Sequence, residues 1–578
     1  MKNIYLCQFS IINEQKFVLL PYSAGMIQAY AQSIDSINRE YQFHSDIFFI
    51  PDKKKNIINQ IINPHIVGFG VYIWNLDFSD SIAKEIKKKY KDCLIVYGGP
   101  QVPEDEEDFL RKRPWVDKLI HKEGEISFSN FLLNDDCNHE RIRELDSLPS
   151  PYLSGIFNHY FSKYDNYVLN AILETNRGCP YKCTFCDWGG ITYSKVHKFD
   201  TDRIFKELEW FSENKIEHIT CTDANFGIFK ERDEKIVDKI ISIKEETGYP
   251  FAFNTNWAKN SNENILNIAS KLKKASMLRK MGLSLQSLNL DVLTNVKRKN
   301  MELNNLTLML KKARKKDLEV MVEMILNLPG ETKETWIENY CNLLANDNIF
   351  IDSYPLTVLK NSELGKKEYI KKYNIKTVKS KTNYGGGLKS KEEIVVSTEN
   401  MTKKEYHEAW LFTWFLRSMH SNGYLYFIYK FMNIEYNMSI RKFYEFIFES
   451  KNNTIEMLID SRKDLLENNL YNDFYYNNDW IYLIEKRRNL FYEELKILLK
   501  QNFEFEYFDE LIDFQNISFY NDKISYPIRK KFDYNFFNHR KEPVTLKFTH
   551  GGIGSHENFK SFLSLSRSHN WKCEVEYT

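Results

Sequence analysis

Residues 176–188 read Asn176-Arg177-Gly178-Cys179-Pro180-Tyr181-Lys182-Cys183-Thr184-Phe185-Cys186-Asp187-Trp188. Three cysteines separated by three and then two residues can wrap one loop around one face of an iron–sulfur cubane, because thiolates are the soft ligands of such clusters. Three of the four irons are then held by protein. The fourth stays open to a small molecule bearing hard ligands such as an amino and a carboxylate group. An open position separates a catalytic metal site from a closed structural one. A structural zinc site would want a fourth Cys or His close by, and His197 is the only nearby candidate. The triplet follows an apolar run, Val168–Thr175, that reads as a strand.

Working outward, strand and helix patterns alternate across residues 167–395. Strands are expected at Val168–Thr175, His218–Cys221, Phe251–Thr255, Lys280–Leu285, Glu319–Leu326 and Tyr354–Leu359, with helices such as Asp202–Ser212 and Glu231–Thr247 between them. Six such units suit a partial (βα)6 barrel whose working loops follow the strands.

Residues 1–135 alternate in the same way. Short apolar runs lie at Ile4–Phe9, Phe43–Ile50, Ile66–Val71, Leu94–Tyr97 and Lys118–His121, with a helical pattern at Phe78–Tyr90. Five strands of this kind imply a flavodoxin-like doubly wound parallel sheet, an α/β fold whose ligands sit over the carboxyl ends of the strands. The loops there are Ser10–Asn13, Tyr72–Asn75, Gly98–Gln101 and Lys122–Glu125. A connector, residues 136–166, contains the stiff Leu148-Pro149-Ser150-Pro151. Residues 396–578 read as a mainly helical C-terminal domain, with helices such as Lys403–His420 and Trp480–Lys500 and a strand at Val544–Phe548. The lysine-rich stretches 84–91, 311–316 and 370–381 read as solvated helix faces.

Lys+Arg is 80 and Asp+Glu is 79. That balance argues against a nucleic-acid binder dominated by phosphate contacts. No apolar run approaches the roughly 20 residues that span a bilayer, and the first residues lack a secretory pattern. Nine cysteines so unevenly placed fit a reducing, cytoplasmic setting and a metal site rather than disulfides.

The triplet resembles the radical S-adenosylmethionine (SAM) signature C-x-x-x-C-x-Φ-C. Phe185 stands at the aromatic place, which in that family lies near the SAM adenine. The resemblance implies a [4Fe–4S] cluster on Cys179, Cys183 and Cys186. It implies SAM contacts from the loops after later strands: Asp223 and Asn225 within Thr222-Asp223-Ala224-Asn225, and Ser284 and Gln286 on the fourth strand. The family usually has a Gly-Gly-Glu-like segment where residues 222–225 stand. The turn Asn327-Leu328-Pro329-Gly330-Glu331-Thr332 matches the one after the fifth strand.

The first 135 residues resemble the cobalamin-binding domain that precedes many radical SAM cores. The matching segments are Leu20-Pro21-Tyr22-Ser23-Ala24-Gly25, Val67–Asn75, Gly98-Gly99-Pro100 and Glu123-Gly124-Glu125. Together with the core, this likeness covers about residues 1–390. It implies corrin contacts from Tyr72, Trp74, Asn75, Gly98, Gly99, Pro100, Glu123 and Gly124. Classical cobalamin domains carry an Asp-x-His-x-x-Gly loop after the first strand. Here Cys7-Gln8-Phe9-Ser10-Ile11-Ile12 has no histidine, and His44 and His65 precede strands. Cobalt would have no imidazole beneath it from this domain, and Trp74 is the candidate to cover the lower corrin face.

The resemblance implies a cobalamin-dependent radical SAM methyltransferase. Such an enzyme cleaves SAM reductively to a 5′-deoxyadenosyl radical and passes a methyl group from methylcobalamin to an unactivated carbon of a peptide or natural product. It would draw electrons from a flavodoxin or ferredoxin and use neither nucleic acid nor membrane. A cyclase or ring-rearrangement enzyme with the same parts is the main alternative, and a non-catalytic cobalamin sensor a further one.

Overall fold

The computed structural model describes residues 1–137, 141–188, 195–259, 263–345, 349–450, 452–476, 479–518, 524–525, 527–549 and 574–577. The chain divides into two compact units. One comprises residues 1–285, 290–318 and 356–398, the other residues 286–289, 319–355 and 399–578.

In the first unit, β1 (Lys2–Cys7), β3 (Tyr41–Phe43), β4 (Pro64–Gly70), β5 (Leu94–Gly98) and β6 (Lys118–Ile120) form one parallel sheet in the order β3-β1-β4-β5-β6. This is the doubly wound order expected. Burial runs almost unbroken along β4 and β5 because helices cover both faces. Ile4, Val67, Ile95 and Tyr97 are fully or nearly fully enclosed. The helix Leu76–Lys89 buries Ile82, Ala83 and Ile86 and turns its lysines outward.

A short strand, β2 (Phe17–Leu19), leaves this sheet and pairs in parallel with β7 (Val168–Leu173). The short pair β8 (Asn176–Arg177) and β9 (His197–Lys198) flanks the cysteine loop. β7 pairs with β10 (His218–Phe226), which pairs with β11 (Ala252–Trp257), all parallel. β12 (Lys280–Gln286) follows.

The barrel strands of the second unit, β13 (Glu319–Leu326) and β14 (Ile349–Pro355), are parallel and in register from Val320↔Ile349 to Leu326↔Pro355. The strand–helix units expected for a partial barrel are thus divided between the two units. β14 starts five residues before the expected Tyr354, because Ile349-Phe350-Ile351 supplies its core and Pro355, lacking an N–H, ends it.

Only the first part of 370–381 is helical, within Lys367–Lys372. From Lys376 the chain forms a hairpin, β15 (Lys376–Gly385) against β16 (Leu388–Ser397). Lys379 and Lys381 are exposed and alternate with buried Ser380 and Thr382, a period of two. The hairpin tip lies on the first sheet's loop region. Tyr384 and Leu388 pack with Phe9 and Trp74. Gly385 has φ +87°, and a Cβ there would sit 2.5 Å from the Ile12 carbonyl.

The second unit continues as helices. Lys403–Leu416 starts at a capping box of Thr402 and Glu405 and runs into a π-helical turn, Arg417–Ser421. The expected Trp480–Lys500 helix is two, Asp479–Lys486 and Arg488–Asn502. An antiparallel sheet closes it, with strands β17 (Ile528–Phe532), β18 (Val544–Thr549) and β19 (Glu574–Tyr577). Many of the aromatics form core: Trp410 stacks on Tyr471 and meets Phe474, and Trp414 meets Trp480 edge-on. Among the described residues no helix is long and apolar enough to cross a membrane.

Gly385→Ala should destabilise the protein by about 2 kcal/mol or more, since it adds left-handed strain to a backbone clash. A lowered thermal midpoint checks this. In the second unit, burial holds the His407 imidazole at about 4, below its ordinary 6.5, beside the Tyr471 hydroxyl at 2.9 Å. The unfolded chain therefore binds the proton first as pH falls. Stability is full above pH 6.5 and declines between 6.5 and about 4, by about 2 kcal/mol once solvent screening at this half-buried position is counted. The urea midpoint should fall more on acidification in the wild type than in His407→Gln.

Candidate functional site

The cysteine loop begins where β7 ends, and buried charges fix that point. Asp223, fully enclosed, accepts from the backbone N–H of Thr175 at 2.8 Å and of Asn176 at 3.1 Å, and from both their side chains. Burial pushes its carboxyl up to about 7 against the pull of these donors. Both Asp223 oxygens are thus taken up in bracing the loop.

Arg177 supplies a second brace. Its guanidinium grips Glu174 through two bonds, 2.9 and 3.0 Å, donates to Glu125 at 2.7 Å and lies 3.7 Å from Glu123. Burial pulls the Arg177 pKa down, but Glu125 and Glu174 outweigh it and hold it above the ordinary range. Glu123 also accepts from the Ile142 N–H at 2.8 Å. The segment Glu123-Gly124-Glu125 is thereby tied to the start of the cysteine loop.

Cys179 and Cys183 are 5% and 4% exposed, and Cys186 is half-buried. Asn225 Nδ2 donates to Cys179 Sγ at 3.3 Å. Lys259 Nζ lies 3.5 Å and Arg298 Nη1 3.8 Å from Cys183 Sγ. These contacts are donors, a set that suits thiolates rather than thiols. Among the described residues no three Cys, His, Asp or Glu side chains converge on one ion, as zinc would require. A cubane is ligated at three separate irons, so its cysteines need not converge on one ion. In the first unit Asn225 Oδ1 is buried without a hydrogen-bond partner, and in the second unit so is Gln286 Oε1. Gln286 has φ +68°, a strained backbone that clusters at ligand sites. Ser284 lies two residues before it on the same face of β12, and Phe185 is half-buried inside the triplet. In the second unit, Glu331 accepts from Ser287 at 2.9 Å and helps hold the 327–332 turn.

At the carboxyl edge of the first sheet, Tyr72 and Trp74 stack with ring centres 4.6 Å apart. Tyr72 OH meets Ser23 Oγ at 3.0 Å, and Trp74 Nε1 donates to the Phe9 carbonyl at 3.1 Å. Asn75 is fully buried, and its amide bonds Tyr72 N, Phe9 O and Gly70 O at 2.8–3.0 Å, which locks the loop. Gly99 has φ +106°, and a Cβ would come 2.8 Å from the Val71 carbonyl. Asn361 Nδ2 donates to Pro100 O and Val102 O at 3.0 and 2.8 Å. His44 follows β3 rather than preceding a strand, since β3 ends at Phe43, and it stacks on Tyr5 at 4.9 Å. His65 is the second residue of β4.

Sequence reading missed Arg177, Lys259, Arg298 and Asn361. For Arg177 a signal existed, with Glu174 three residues before it and a Glu-x-Glu pair at 123–125. The others carry no motif.

Residues 173–340 match the family model described as Radical SAM superfamily. The chain is 31% identical over 465 residues to the cobalamin-dependent radical SAM methyltransferase TokK of Streptomyces tokunonensis, covering 75% of this chain and 68% of the relative. It is 30% identical over 457 residues to the 2-(S-pantetheinyl)-carbapenam-3-carboxylate methyltransferase of Streptantibioticus cattleyicolor, covering 74% and 67%. Its fold is like that of the cobalamin-dependent S-adenosylmethionine radical enzyme OxsB, solved with aqua-cobalamin and S-adenosylmethionine. The TM-score is 0.53 at 14% identity, over 89% of this chain and 83% of that one.

Arg177→Met should lower the unfolding free energy by about 3–5 kcal/mol, because it strands buried carboxylates. Adding Glu125→Gln should recover part of the loss. Urea unfolding at neutral pH of the two variants checks both statements.

Proposed function

This chain belongs to the cobalamin-dependent radical SAM methyltransferases, enzymes whose cofactors are a [4Fe–4S] cluster, SAM and cobalamin. From that premise we propose that it moves a methyl group onto an unactivated carbon of a small natural product. The observation that carries this reading is the set of donors around Cys179 and Cys183, in the unit that also holds the doubly wound sheet.

In this reading Cys179, Cys183 and Cys186 hold three irons. Asn225 Oδ1 is an acceptor for the SAM ammonium or ribose hydroxyls, while Phe185 and Ser284 line that site. Tyr72 and Trp74 present ring surface to the lower corrin face. Asn75 keeps their loop rigid, Gly98-Gly99-Pro100 lets backbone approach the corrin, and Glu123-Gly124 borders it. With these groups bound, the cluster and SAM supply hydrogen abstraction and cobalamin supplies the methyl group. A flavodoxin or ferredoxin is the proposed electron source. Residues 396–578 are proposed to recognise the substrate. The relative that acts on an S-pantetheinyl carbapenam carboxylate makes a bicyclic β-lactam thioether the first candidate.

Anaerobically reconstituted protein given such a carbapenam and SAM deuterated in its methyl group should form product heavier by a trideuterated methyl. S-adenosylhomocysteine and 5′-deoxyadenosine should each match product. Cys183→Ala should lose the cluster's visible charge-transfer band and all 5′-deoxyadenosine. Product of unchanged carbon count, with 5′-deoxyadenosine but no S-adenosylhomocysteine, would instead mean a cyclase or rearrangement enzyme. Turnover of a peptide but no β-lactam would redirect the substrate class.

A further inference from the structure

The three thiols of the cysteine loop are not equally supported. Cys179 meets a neutral amide, Asn225 Nδ2. Cys186 meets the Trp188 backbone N–H. Cys183 Sγ has two cations close by, Lys259 at 3.5 Å and Arg298 at 3.8 Å.

Arg298 is 4% exposed. Its Nε donates to Asn300 Oδ1 at 2.9 Å, its Nη2 to the Ser284 carbonyl, and its Nη1 points to Cys183 Sγ. Asn300 is itself fixed, donating to the Leu285 carbonyl at 2.8 Å. Among the described residues no carboxylate pairs with Arg298, and the titratable side chains acting on it are Cys183, Cys186 and Tyr181. A buried guanidinium is always charged and costs several kcal/mol to desolvate without a partner. Lys259 likewise has no carboxylate partner among the described residues, and its ammonium lies over the Tyr181 ring at 4.7 Å. The fold thus holds two cations ready for an anion beside Cys183.

We infer that Arg298 and Lys259 are the counter-ions of the thiolate-bound cluster at Cys183 and that they raise its reduction potential. The inference rests on the cysteine assignment above. Reduction takes one electron from a low-potential one-electron donor. The donor is oxidised by one charge, the cluster becomes more negative by one, and no proton or bond changes place. A cation near the cluster stabilises the more negative form by Coulomb attraction, and more so where burial limits screening. Arg298, the more buried of the two, should act more strongly than Lys259.

The test is a dithionite titration with redox mediators on full-length, anaerobically reconstituted protein without SAM, followed by electron paramagnetic resonance of the reduced cluster. Arg298→Gln and Lys259→Met should both move the midpoint to more negative potential, Arg298→Gln further. Arg298→Lys should stay near wild type. A midpoint unmoved in Arg298→Gln and Lys259→Met overturns the inference. So does an unmoved midpoint accompanied by a tenfold loss of SAM affinity, which would make Arg298 a SAM carboxylate contact. If Arg298→Gln binds no iron, Lys259→Met at full iron content decides alone. Absence of iron from the wild type would refute the cysteine assignment instead.

Discussion

One guanidinium faces three carboxylates at the junction of the two halves of the first unit. Arg177 bonds Glu174 and Glu125 directly and lies near Glu123. Desolvating such groups is expensive, so the arrangement survives only with well-formed bonds on every side. Those bonds join a loop at the edge of the doubly wound sheet to the residue two positions before Cys179. Asp223, from the neighbouring barrel strand, secures the same stretch through Thr175 and Asn176. None of these contacts uses a cysteine. The shape of the cysteine loop is therefore set by residues outside the cysteine triplet, which leaves the loop preorganised.

Much of this was legible in the sequence because it is written in local pattern. The spacing of Cys179, Cys183 and Cys186 announces a cluster without any fold, and five apolar runs before residue 135 are enough for a doubly wound sheet whose order proves to be β3-β1-β4-β5-β6. What escaped had no local pattern to read. Phe17–Leu19 is too short to mark a strand, and it belongs to the sheet of β7 although it sits in the chain among strands of the other. The hairpin 376–397 was hidden because much of its buried face is polar: Ser380, Thr382, Ser390 and Glu392 are enclosed beside Leu388 and Ile394. Arg298, lying between Lys297 and Lys299, looks like one more solvated base, and only the three-dimensional structure shows it enclosed.

The loops at the carboxyl edge of the first sheet illustrate a division of labour that residue type alone conceals. Asn75 stands in the motif beside Tyr72 and Trp74, yet its amide is wholly engaged with backbone groups at Phe9, Gly70 and Tyr72. Its contribution is rigidity. The aromatic pair it anchors is further buttressed from the hairpin, where Tyr384 and Leu388 join the same packed cluster. A bulky ring held from several sides keeps its orientation, which a loop held only by its ends would not. In the C-terminal helices the same residue types serve packing: Trp410, Tyr471 and Phe474 are enclosed and touch one another. An aromatic excess in a sequence thus marks large buried area first, and a binding surface only where rings stay half-exposed.

Charge balance explains why the cysteine loop needs two separate sets of cations. Arg177 is the nearest arginine in sequence to the triplet, but its positive charge is already outnumbered by Glu123, Glu125 and Glu174, so it has none to offer a thiolate. Arg232 is engaged with Asp233 at 2.7 Å and with Thr175. Lys182, within the triplet, is exposed and screened by water. The groups that can offset thiolate charge are the ones without carboxylate partners, and the fold brings one from the connection after β11 and the other from the segment that follows the helix Leu290–Asn295. The acid-rich knot fixes where the loop is. Lys259 and Arg298 meet the same loop at Cys183, and neither set could do the work of the other.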